Sequence, residues 1–132
     1  MENYSKALQF HQQALQIREK SLPSNDSSVP VSYSNIAGIY RSRGDYQKAL
    51  LTYEKALELA KKYFPPKHPT LATIYDNLAS VHTLIGEYST ALSLYENARE
   101  IRRKTLPPNH MKLLATEINI TSTHVSMGNY LN

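Results

Sequence analysis

Tyr4, Tyr46, Tyr88 and Tyr130 stand 42 residues apart, and that step constrains the fold more than any other feature of the chain. Gly44, Gly86 and Gly128 keep it, as do Ala7, Ala49 and Ala91, Ala14, Ala56 and Ala98, and Leu8, Leu50 and Leu92. Pro23, Pro65 and Pro107 recur in the connecting stretches, and Asn35, Asn77 and Asn119 recur ahead of each glycine. The phrase G-D-Y-Q-K-A-L-L-T-Y-E-K-A-L, Gly44 to Leu57, returns without a gap as G-E-Y-S-T-A-L-S-L-Y-E-N-A-R, Gly86 to Arg99. Self-similarity at such a period implies stacked supersecondary units, each burying its apolar face against its neighbours.

Within a unit the spacing is helical. Tyr46, Ala49, Leu50, Tyr53, Ala56, Leu57 and Ala60 form the apolar stripe of an amphipathic helix, with Gln47, Lys48, Thr52, Glu54, Lys55 and Glu58 off it. Tyr33, Ile36, Ala37 and Tyr40 repeat the spacing in the first half of the unit, answered by Tyr75, Leu78, Ala79 and His82. Gly44 suits the left-handed position that ends one helix, and Asp45 is placed to cap the next. Pro30 and Pro69 lie near helix starts, where a missing N–H costs little. The spacing predicts six helices, over 3–21, 29–43, 45–63, 70–85, 87–105 and 112–127. Ala49 and Ala56 mark where paired helices approach closely, and Tyr46 and Tyr53 fill the gaps beside them. Packing holds the repeated phrase constant, while solvent leaves the charged positions free to vary.

Composition removes several function classes. Without Cys there are no disulfides, thiolate metal sites or cysteine nucleophiles. No apolar stretch approaches the roughly 20 residues of a membrane span. The start, M-E-N-Y-S-K-A, lacks the basic and apolar regions of a signal peptide, so a cytoplasmic location is expected. Four glycines form no phosphate loop, and no H-E-x-x-H or nucleophile elbow is present, so no catalytic residue, metal or cofactor is assigned. His82 and His124 fill the slot of Tyr40, and His11 fills that of Tyr53 and Tyr95, which reads as buried packing rather than metal ligation. His68 and His110 lie in successive linkers, 42 residues apart. The clusters Lys61-Lys62 and Arg102-Arg103-Lys104 end second-half helices, where cations suit the helix dipole. With a net charge of only +4, this argues against nucleic acid as the partner.

The segment Y-S-N-I-A-G-I-Y-R-S-R-G-D-Y-Q-K-A-L-L-T-Y-E-K-A-L-E-L resembles the tetratricopeptide repeat. The signature falls on Tyr33, Ile36-Ala37, Tyr40, Gly44, Ala49, Tyr53 and Ala56. The longer 42-residue unit and linkers such as A-L-Q-I-R-E-K-S-L-P resemble kinesin light chain-type repeats. The expected fold is an all-α superhelical solenoid of six antiparallel-paired helices. It forms a single array: 1–28 holds a second-half helix and linker, 29–70 and 71–112 are repeats, and 113–132 is an incomplete, degenerate repeat. That third unit departs most, with Glu117 for the aromatic, Thr121 for Ala37 and Ala79, and Met111 for Pro69. The phase implies an excerpt of a longer array or a segment that stacks end to end with copies of itself. The first helix is expected to expose Ala7, Phe10, Ala14 and Ile17.

The resemblance implies that first-half helices line a concave groove suited to an extended peptide or a partner helix. The groove residues are then Ser34, Asn35, Gly38, Arg41 and Ser42, then Asp76, Asn77, Ser80, Thr83 and Leu84, then Ile118, Asn119, Ser122, Val125 and Ser126. A side-chain amide both donates and accepts. The ladder Asn35, Asn77 and Asn119 therefore either pairs with a ligand backbone, as the resemblance implies, or bonds to neighbouring helices and holds the stack. Arg41, Asp76, Leu84 and Ile118 would set specificity, and Arg41 with Arg43 would carry any preference for acidic peptides. Family members that clamp a C-terminal carboxylate use Lys and Asn where Ser34 and Gly38 stand, so that activity is not expected. A protein-interaction module is the reading, with a structural spacer that self-assembles as the alternative.

Overall fold

A computed structural model describes the backbone of residues 2–21 and 28–131, and the side chains of residues 3–17 and 28–128. Among the described residues there are six helices and no strand. They are α1 (Glu2–Ser21), α2 (Ser28–Arg43), α3 (Tyr46–Tyr63), α4 (Pro69–Leu84), α5 (Tyr88–Thr105) and α6 (Met111–Leu131). The chain divides into two compact units, Met1–Phe64 with α1 to α3 and Pro65–Asn132 with α4 to α6. In each unit the middle helix packs on both others: α2 on α1 and α3, and α5 on α4 and α6. Pro23, in the first linker, lies outside the described residues.

The apolar stripes account for these contacts. In α3, Ala49, Leu50, Tyr53, Ala56 and Ala60 are buried, while Gln47, Lys48, Glu54, Lys55 and Glu58 are exposed. Where α1 meets α2, Leu8, Leu15 and Ile36 form a buried cluster with Val29, Tyr33, Ile39 and Tyr40 packed against it. In the second unit Ala79, Ala91, Leu92, Tyr95 and Ile120 bring α4, α5 and α6 to one cluster. Of the four α1 residues expected to be exposed, Phe10 and Ile17 are, and Ala7 and Ala14 are half-buried.

Each helix pair turns on a glycine. Gly44 and Gly86 have φ of 86° and 84°, in the left-handed region that costs any other residue a Cβ clash. Gly44 N–H donates to the Arg41 carbonyl at 3.0 Å and Asp45 N–H to that of Tyr40 at 2.9 Å. Gly86 and Glu87 repeat this on Thr83 and His82 at 3.1 and 2.8 Å, so both turns are Schellman motifs. A Cβ at Gly86 would meet nothing within 4 Å. Gly86→Ala is therefore expected to cost about 1 kcal/mol through backbone strain alone, and Gly86→Asn less, as read from urea unfolding.

Three expectations are corrected. Asp45 stands at the N-cap of α3 but makes no side-chain cap bond, because its carboxylate turns to Arg43 Nε at 3.4 Å. Gly128 does not end its helix: α6 runs on to Leu131, and Gly128 keeps out of the left-handed region. His124, expected to be buried, is exposed, because its face of α6 is uncovered.

Candidate functional site

The fifteen expected groove positions lie on α2, α4 and α6. Asn35, Ser42, Leu84, Ile118, Ser122 and Val125 are exposed, and Ser34, Gly38, Arg41, Asp76, Asn77, Ser80, Thr83, Asn119 and Ser126 are half-buried. No hydrogen bond ties the amide of Asn35, Asn77 or Asn119 to another described residue. Several others are engaged internally. Thr83 Oγ1 donates to the Ala79 carbonyl at 3.0 Å, and a Cβ at Gly38 would lie 3.5 Å from the Tyr53 hydroxyl. Arg41 lies close enough to Tyr53 for its charge to oppose the rise that burial imposes on the phenol's pKa.

Asp76 is the position whose surroundings differ most from a solvated groove. Its Oδ2 accepts from Arg102 Nη1, and the same nitrogen donates to Thr116 Oγ1 at 2.6 Å. One α5 guanidinium thus ties α4 to α6. Arg102 is buried, and Asp76 Oδ1 is buried with no partner among the described residues. Burial accordingly holds the Asp76 carboxyl above its ordinary value, while the hydrogen bond and charge of Arg102 pull it back down. In the first unit the corresponding positions are Ser34 and Ala60, so this pair belongs to the second unit alone.

The role of Arg102 is not the one its sequence position suggested, that of a dipole-complementing cation at a helix end. The signal was present as a difference between repeats: Arg102, like Arg18, stands where the middle copy has Ala60, and an acid at 76 stands where Ser34 does. Glu117 is a second such case. It replaces the repeat aromatic and accepts from Arg103 Nη2 at 3.0 Å, with Arg99 Nη1 at 3.5 Å. Ion pairing between α5 and α6 therefore takes the place of aromatic packing there.

The linker histidines have matching structural roles. His68 Nδ1 accepts from the Thr70 N–H, and His110 Nδ1 from the Lys112 N–H, each at 3.1 Å, capping the first turns of α4 and α6. His82 Nδ1 lies 3.5 Å from Glu87 Oε1, and His11 meets Phe10 edge-on at 5.7 Å. Among the described residues no three His, Asp or Glu side chains converge as a metal site, and no helix is long and apolar enough to cross a membrane.

The repeat unit, the Schellman turn between its helices and the small-residue seam recur in both units of the structure. The tetratricopeptide repeat model matches the chain three times, over residues 1–62, 28–104 and 70–131. This chain belongs to the tetratricopeptide repeat family. Repeats of this family are generally non-enzymatic modules for protein–protein interaction and scaffolding. Among solved structures the chain is similar to the nearly identical TPR-like repeats of a Podosopora anserina protein assigned as a kinesin light chain. Identity is 25% and the TM-score 0.85, over 95% of this chain and 59% of that one. It is also similar in fold to BtubC (BKLC) from P. vanneervenii, with 23% identity and a TM-score of 0.86 over 98% of this chain and 52% of the other. The chain thus spans between half and three-fifths of the length of these relatives. No curated protein sequence matches it significantly.

Proposed function

We propose that this tetratricopeptide chain is an adaptor segment that holds an extended peptide on the exposed faces of its first-half helices. The observation that carries the reading is the recurrence of Asn35, Asn77 and Asn119 with amides that make no hydrogen bond to another described residue. Each amide offers a donor and an acceptor to a peptide backbone without disturbing the helix that bears it. Exposed Leu84, Ile118 and Val125 supply apolar contacts beside the amides. Asp76 pairs with Arg102, and the other charged groove position is Arg41, a cation suited to acidic peptides. A cytoplasmic location extends the likeness to kinesin light chain repeats.

The test is selection of binders from a random peptide library on the 132-residue chain, followed by titration against the Asn35→Ala, Asn77→Ala, Asn119→Ala triple variant. At about 1 kcal/mol for each lost hydrogen bond, affinity should drop on the order of a hundredfold while helicity is unchanged. A triple variant that binds equally well, or that melts, sinks the reading. A second reading has its own support: the exposed apolar residues of α1 and α6 suit a structural spacer that assembles with copies of itself.

A further inference from the structure

We infer that the cavity between the start of α4, the end of α5 and the start of α6 binds a single carboxylate carried on a short aliphatic body. The inference does not rest on the peptide surface proposed above. The cavity holds about 170 Å³, and every residue lining it belongs to the second unit. Arg102, His110 and Lys112 line it beside the apolar side chains of Pro69, Ile101 and Leu106.

The donors gathered there are not spent on the scaffold. A guanidinium carries five N–H donors in a planar fork. Arg102 spends Nη1 on Asp76 and Thr116, while its Nε and Nη2 make no hydrogen bond to a described residue. Neither nitrogen is sealed from solvent, although the side chain is only 9% exposed. Together they form an edge that can grip a carboxylate through two parallel hydrogen bonds. His110 Nδ1 accepts from the Lys112 N–H, so the neutral ring carries its proton on Nε2. That donor, and the Lys112 ammonium, likewise have no partner among the described residues. The other polar walls are Thr73 and Thr105. Their hydroxyls donate to the Pro69 and Ile101 carbonyls at 3.3 and 2.9 Å, which leaves no hydrogen for an anion. The charged end of a ligand therefore belongs with Arg102, His110 and Lys112, and its body with Pro69, Ile101 and Leu106.

Charge narrows the class further. Asp76 already balances Arg102, which leaves Lys112 as one net cation. A monocarboxylate matches it, whereas a phosphate dianion would keep a charge uncompensated beside apolar walls. The preceding copy of the repeat lacks two of the three donors. Ala60 and Thr70 stand at the places of Arg102 and Lys112, and bulky Tyr63 at that of Thr105.

That copy also supplies the variants. Lys112→Thr removes the net charge, and Thr105→Tyr sets a ring in the cavity. Both positions are exposed, so each variant should keep the far-ultraviolet circular dichroism of the parent. The probe is butyrate, titrated into the isotope-labelled 132-residue chain and followed by nuclear magnetic resonance. Butyramide serves as its uncharged counterpart, and inorganic phosphate as the more highly charged oxyanion. Butyrate should shift the Arg102 Nε–H and the Lys112 and Leu106 amides saturably, with a Kd on the order of 1 mM for so small a ligand. Lys112→Thr should weaken it about tenfold, and Thr105→Tyr should abolish it. N-acetylglutamate N-methylamide separates the two sources of such a carboxylate. Binding equal to that of butyrate assigns a protein side chain, and binding of butyrate alone a free acid; the site stands in both cases. No saturable shift, an equal response to butyramide, or butyrate binding unchanged in either variant overturns the inference. Phosphate binding more tightly than butyrate overturns its carboxylate class.

Discussion

Replacing Arg102 with Met should lower the chain's stability by about 3 kcal/mol, because it leaves the Asp76 carboxylate buried without its counter-charge. The Arg102 side chain is 9% exposed and that of Asp76 20%, so solvent can compensate only in part. The first unit supplies the control. Its corresponding residues are Ser34 and Ala60, and Ala60 is wholly buried, so the repeat tolerates an uncharged solution there. The double variant Asp76→Ser, Arg102→Ala should recover most of the loss. Thr116 stays satisfied in it by donating to the Lys112 carbonyl at 3.0 Å. Urea unfolding of the parent, both single variants and the double variant gives the coupling directly. Losses that simply add would show that the pair is not a unit.

The same variant carries a pH signature. Burial raises the Asp76 carboxyl, and Arg102 opposes that rise. With the guanidinium gone, the folded state keeps its proton to a higher pH than the unfolded chain does. Stability is then greatest below the ordinary carboxylate range and is lost as pH rises through the folded-state value. The deficit of Arg102→Met against the parent should therefore narrow between neutral pH and about pH 4. A deficit independent of pH would mean that lost packing, not a stranded charge, is the cause.

Tyr53→Ala should cost about 4 kcal/mol, an effect on the first unit's own core. The ring is 1% exposed, and Ala49 and Ala56, one helical turn to either side, are wholly buried. Truncation removes the apolar area and leaves a void that alanine neighbours cannot close, since a methyl group has no alternative rotamer to move into it. Tyr53→Phe keeps the ring and should lose far less. Equal losses for the two would place the contribution in the hydroxyl instead of the packing.

Much of this architecture is legible along the chain. The apolar stripes place all six helices within a residue or so, except where α6 continues past Gly128, and Gly44 and Gly86 adopt the left-handed turns their positions suggest. These features are local: a stripe needs only helical geometry, and a C-terminal glycine needs only its own turn. The candidate surface is less legible. That the Asn35, Asn77 and Asn119 amides stay clear of the scaffold depends on what lies across from them. Asp45 could cap α3 or pair with Arg43, two local options of similar energy, and the structure takes the pair.

The period alone determined that this chain folds as tetratricopeptide helix pairs, because only recurring partners can bury recurring stripes of small and aromatic residues. The tertiary structure decided where the exceptions to the repeat find one another. Asp76, Arg102 and Thr116 come from three different helices, and Glu117 from a different helix than Arg99 and Arg103, yet each group meets in space. Whether a charge is a solvated surface group or half of a buried pair depends on the dielectric around it. That is set by neighbours on other helices, and no single stretch of sequence contains them.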